Sequence, residues 1–121
     1  MAVQAKEEKT ISSKTIRALS FWHGVTATAL KKMPVDLSAR QTAVLLHIYI
    51  MPSPHSIKLL ADELMISKPA ICRANDALEK AKLVKRIRDK EDKRNVLIQR
   101  TVKGSVYLSE FADIILTASK E

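Results

Sequence analysis

Two glycines, Gly24 and Gly104, and one cysteine, Cys72, are all that this 121-residue chain has of those types. So few glycines exclude a Gly-rich phosphate loop. A single thiol excludes an intrachain disulfide. Aromatic residues make up 4%, and none of Phe21, Trp22, Tyr49, Tyr107 and Phe111 falls in the most basic stretch. That stretch therefore lacks the stacking platforms on which single strands and RNA are read, which favours a duplex. No apolar run reaches the roughly 18 residues of a membrane helix. The opening MAVQAKEEKT has no apolar signal-peptide core, so a cytoplasmic protein is expected. His23, His47 and His55 follow no metal-ligand spacing, and no Ser/His/Asp or paired-carboxylate pattern stands out. The expectation is a binding protein without metal or cofactor, not an enzyme.

What the chain does have is unevenly placed charge. Its net charge is +8. Between residues 80 and 103 lie ten Lys/Arg (Lys80, Lys82, Lys85, Arg86, Arg88, Lys90, Lys93, Arg94, Arg100, Lys103) against three acids (Asp89, Glu91, Asp92), a net +7. The excess is thus local rather than a general solubility feature, and a local basic patch is the footprint of a phosphate-backbone partner.

With 46% hydrophobic and 28% charged residues, the chain suits one domain with a real core. Residues 1–9 read as a flexible tail. Apolar residues at spacings of three and four from Ile11 to Met33 predict an amphipathic helix over 10–33, stopped by Pro34. Ser38 with Gln41 forms a capping box that opens a second helix, 39–51, with Val44, Leu45, Ile48 and Met51 inward. Ser56 caps a third, 57–65, with Leu59, Leu60, Leu64 and Met65 on its apolar side. Ser67 caps a fourth, 68–81, and Pro69 sits in its first turn, where a missing N–H costs nothing. Strands are expected from Val84 to Arg88 and from Val96 to Thr101, around the turn Asp89–Asn95. A last helix, 103–119, follows. The fold class is mainly α with a small β-hairpin: a winged helix-turn-helix core over 38–102 between N- and C-terminal helices, whose apolar stripes can meet in one subunit or between two.

On the fourth helix, steps of about 100° per residue gather Ile71, Ala74 and Leu78 on the core side. Pro69, Cys72, Arg73, Asp76 and Lys80 fall opposite, on the face that can enter a major groove. Arg73 is the candidate for a guanine edge or a phosphate. Ser67 and Lys68 stand where a phosphate meets a helix start. The competing arrangement is a solvated face with Arg73 paired to Asp76 across one turn. In the hairpin, Lys85, Arg86, Arg88, Lys90, Lys93 and Arg94 are the candidate contacts to minor groove and backbone. Asp92 is the candidate brace for Arg94, Arg86 or Arg88. Cys72 on the groove face invites a redox reading, but no resolving cysteine accompanies it.

Two stretches resemble the MarR family of winged-helix regulators, over about Leu37 to Gly104. SKPAICRANDALEKAKLV is similar to that family's recognition helix, with Arg73, Asp76, Leu78 and Glu79 at its Arg, Asp, Leu and Glu positions. RIRDKEDKRNVLIQRTVKG is similar to its wing, with Asp92-Lys93-Arg94 as the Asp-x-Arg signature and Thr101-Val102-Lys103-Gly104 as the Thr-x-x-Gly start of the next helix. The resemblance implies a homodimer held by terminal helices, a pseudo-palindromic double-stranded DNA operator, and in many members release by a small-molecule effector. The chain departs from the family in three ways. Lys82 stands where Gly is usual, Ala77 replaces an often basic residue, and a single helix follows the wing where the family has a longer C-terminal region. The expected function is sequence-specific transcriptional regulation. The alternative is a winged-helix protein-interaction module whose basic hairpin meets an acidic partner.

Overall fold

Hydroxyl side chains decide where each helix begins. In the computed structural model, which describes residues 11–120, Ser12 accepts from the Thr15 N–H and starts α1, Ser13–Lys32. Ser38 and Gln41 form the full capping box of α2, Ala39–Ile50, with reciprocal bonds of 3.1 and 3.0 Å. Ser56 caps α3, Ile57–Leu64. Ser67 caps α4, Lys68–Lys80, with Pro69 in its first turn. Thr101 caps α5, Val102–Ser119. Each cap satisfies an N–H that would otherwise lack a partner, a contribution of about 1 kcal/mol. The tail expected at residues 1–9 lies outside the described residues.

Strands β1, Val84–Arg88, and β2, Val96–Arg100, pair antiparallel from Val84–Arg100 to Arg88–Val96. A bridge between Ser56 and Leu97 adds a third, minimal strand on the other side of β2, and the Ile98 N–H donates to the His55 carbonyl at 2.9 Å. The wing is thereby stitched to the loop before α3. The architecture is helical with one small antiparallel hairpin, as the sequence pattern implies.

Val44, Leu45, Ile48, Leu60, Ile71 and Leu78 are fully buried, from α2, α3 and α4, and Leu83, Val84, Ile98 and Tyr107 close the core around them. Three expected inward residues are corrected. Met51 caps the end of α2 and is exposed. Leu59 is partly exposed, because the buried side of α3 runs through Leu60 and Ala61. Met65 is 92% exposed because it adopts the left-handed conformation (φ 54°, ψ 44°) that ends α3. A cap residue turns away from the stripe that the periodicity extrapolates.

Two junctions fix the hairpin. After α4 the chain turns through Lys82 at φ 64°, and the Leu83 N–H reaches back to the Leu78 carbonyl at 2.9 Å. This is the turn where the resemblance expects glycine, and lysine adopts it at a cost of about 1 kcal/mol. At the far end, the Tyr49 hydroxyl donates to the Leu83 carbonyl (2.7 Å) and accepts from the Thr101 N–H (2.9 Å). Gly104 lies against this hydroxyl and the Leu83 carbonyl, which leave no room for a Cβ. Helix α5 then packs on α1 within the same chain.

Candidate nucleic-acid interface

Helix α4 divides as its spacing predicts. Ala70, Ile71, Ala74, Asn75 and Leu78 are buried, while Lys68, Pro69, Arg73, Asp76 and Lys80 are exposed and Cys72 is half-buried. Ser67 is occupied as the cap, its hydroxyl accepting from the Ala70 N–H at 3.3 Å. Arg73 does not pair with Asp76. Among the described residues neither Arg73 nor Lys68 forms an ion pair, so both heads are free for a ligand.

Asp76 instead pairs with Arg86 from β1. The same guanidinium lies 3.6 Å from Glu79, whose other oxygen accepts from the Arg86 N–H at 3.2 Å. The Asn75 side-chain oxygen, turned toward it, accepts from Nε at 2.9 Å and Nη2 at 3.2 Å. Asn75 has no exposed surface, and this is how its buried amide is satisfied. One arginine thus ties a full turn of α4 to the first strand of the wing. Asn75 is the residue that sequence reasoning missed. A polar residue predicted on the buried side of α4, opposite an arginine-bearing strand, was the available signal.

The hairpin tip is organised by its acids. The Asp89 carboxylate accepts from the Glu91 N–H at 2.9 Å, and that of Asp92 from the Arg94 N–H at 3.1 Å. Asp92 also holds the Arg94 guanidinium, through Nε at 3.1 Å. These hydrogen bonds from Arg94 hold the Asp92 carboxyl below the usual carboxylate range. Of the three arginines weighed for bracing, Arg94 is therefore the one that Asp92 holds. Arg88 donates to the Lys93 carbonyl at 2.7 Å, across the turn. Lys85, Lys90 and Lys93 carry exposed side chains on the same hairpin. Arg100, part of the basic excess, is exposed but engaged: it donates to the Ile48 carbonyl at 2.9 Å and the Met51 carbonyl at 3.2 Å, at the end of α2.

Lys68 at the start of α4 and Arg94 at the wing tip line one cleft. The recognition-type helix and the wing therefore share a face. Among the described residues no cluster of His, Cys, Asp and Glu could hold a metal ion, and no helix is long and apolar enough to cross a membrane.

A buried helix-turn-helix, a basic β-hairpin stitched to it and free cations on one shared face define a winged helix-turn-helix DNA-binding transcriptional regulator. The sequence model of the MarR family matches residues 35–95, and the chain belongs to that family, which is one of regulators and not of enzymes. Among solved structures, it is similar to a mutant of MepR from S. aureus bound to an oligodeoxyribonucleotide. That match has 20% identity, a TM-score of 0.77, and covers 93% of this chain and 81% of the other. The transcriptional regulator BldR from Sulfolobus solfataricus is 29% identical, with a TM-score of 0.62 over 86% of this chain and 73% of its own. A mutant of ZitR from Lactococcus lactis is 23% identical, with a TM-score of 0.64 over 91% of this chain and 80% of its own.

Proposed function

We propose that the protein is a sequence-specific regulator of double-stranded DNA in which α4 enters the major groove and the wing lies on the minor groove and backbone. The observation that carries this is the cleft shared by Lys68 and Arg94, which sets helix start and wing tip against one surface. Arg73 reads a base edge from the exposed centre of α4, flanked by Cys72 and Pro69, which are small enough for close approach. Lys68, Lys85, Arg88, Lys90 and Lys93 serve the backbone. Arg94, held by Asp92, is presented to the minor groove and the backbone phosphates that border it, where the potential is most negative. Asp76 and Arg86 act on each other, keeping wing and helix at a fixed angle, and not on DNA directly.

Two copies joined through α1 and α5 would set their recognition helices about 34–36 Å apart on a pseudo-palindromic operator. Support comes from α1, where Ile16, Leu19, Trp22 and Leu30 are exposed although α5 already packs on that helix. A cavity of about 400 Å³ between α1, the 35–37 segment and α5 has apolar walls that include Trp22, Leu30, Met33 and Phe111. It is the place for a small apolar effector, since its walls join the terminal helices to the winged core.

The test is selection of bound fragments from random duplex, followed by titration at two salt concentrations. Arg73→Ala should flatten preference at one position per half-site, while Lys85→Ala should weaken all sequences alike. Arg86→Ala should lower affinity with the salt dependence of the parent, whereas loss of a backbone contact reduces the slope by about 0.9. Absence of salt-dependent duplex binding would favour the rival, an interaction module for an acidic protein.

A further inference from the structure

The cleft between α3, α4 and the wing contains a residue that belongs to neither recognition helix nor hairpin. Lys58, in the first turn of α3, lines it together with Lys68 and Arg94. The three residues come from three separate segments, carry exposed side chains and line one open groove of about 270 Å³ whose other walls include Ser56, Asn95 and Val96. Among the described residues, Lys58 and Lys68 have no carboxylate partner and Arg94 has Asp92. The cleft thus carries two positive charges in excess. Two ammonium groups without carboxylate partners beside one groove favour an anion there.

We propose that this cleft seats one backbone phosphate of the duplex, gripped at once by Lys58 from α3, Lys68 from α4 and Arg94 from the wing. The proposal rests on the duplex-binding reading above and adds to it a shared phosphate and a third anchoring element. A phosphodiester is the anion that the setting selects, because the cleft is bordered by the start of the recognition helix and the tip of the wing. The consequence is mechanical. One phosphate held from three elements fixes the wing against α4 and sets the depth at which Arg73 meets the bases.

The experiment uses the full chain and a duplex carrying its selected site, with one phosphodiester at a time replaced by a neutral methylphosphonate. In the parent, one linkage per half-site should cost severalfold in affinity through this cleft. Lys58→Ala, Lys68→Ala and Arg94→Ala should each lose sensitivity at that same linkage and keep it elsewhere. Lys58→Arg should restore it, and a thermal midpoint equal to the parent's should accompany Lys58→Ala, whose side chain is exposed. If Lys58→Ala binds as the parent does, or if its insensitive linkage differs from that of Lys68→Ala, the shared seat is overturned while duplex binding stands. If the parent binds no duplex, the functional reading itself fails, and the seat with it.

Discussion

The winged core and the α1–α5 pair are both rich in apolar side chains but treat them differently. In the core, six large side chains from α2, α3 and α4 reach full burial. In α1, Val25 is the one buried residue, while Leu19, Trp22 and Leu30 stay more than half exposed. A core that closes on itself needs no partner. A helix that shows its widest aromatic to solvent after packing on a neighbour leaves an apolar face uncovered. Under the proposed dimer, stability is stored in the first region and assembly in the second.

The sharpest blow to that division is at the joint between the regions. Gly104→Ala would drive a methyl into the Tyr49 hydroxyl and the Leu83 carbonyl, disrupting the hydrogen bonds that Tyr49 makes to Leu83 and Thr101. We expect a loss of about 3 kcal/mol in urea unfolding. A loss below roughly 0.5 kcal/mol would mean that α5 is not seated on the core as described.

Trp22→Glu strikes the other region. It should leave the unfolding free energy of the winged core nearly unchanged, yet convert a dimer at micromolar concentration to monomer in light scattering. A dimer that survives this change would place the interface elsewhere.

A third, smaller effect probes the core through pH. His55 is 3% exposed, with Nε2 3.2 Å from the Met51 carbonyl. Burial, aided by nearby His47 and Arg100, pushes its pKa below the ordinary 6.5, against the opposing pull of the Met51 carbonyl and Glu63. The unfolded chain therefore takes up this proton first as pH falls. The contribution of His55 is complete above pH 6.5 and is lost progressively below it, toward the folded value. Unfolding measured from about pH 7.5 to about pH 5.5 should show stability declining, and His55→Gln should flatten that slope.

The smallest effect separates the regions most finely. A Cβ at Gly24 meets nothing within 4 Å in this chain, so Gly24→Ala should stabilise α1 by up to about 1 kcal/mol. A net destabilisation would show that a second copy packs tightly at this position.

Much of this is legible in the sequence. Ser38-x-x-Gln41, Ser56, Ser67 and Pro69 mark helix starts because capping is chemistry within four residues. The buried stripe of α4 follows from its period, and the hairpin from two short strands around a charged turn. Arg86 and Asp76 are legible as functional types but not in their roles. Each is an exposed charge on an expected DNA face, and their mutual pairing, ten positions apart in sequence, arises when β1 folds back on α4. Lys58 gives no signal, being one lysine on an amphipathic helix.

The sequence by itself determined the helix boundaries, the place of the wing and the location of the charge, because caps, periodicity and local charge are short-range properties. Tertiary structure alone decided which cations remain free for a ligand and which are consumed. Arg86 goes to Asn75 and Asp76, Arg100 to the end of α2, and Lys58, Lys68 and Arg94 to one cleft. The reason is physical. A guanidinium or ammonium takes its role from whatever acceptor the fold brings within about 3 Å, and that neighbour is set by packing between elements, not by position along the chain.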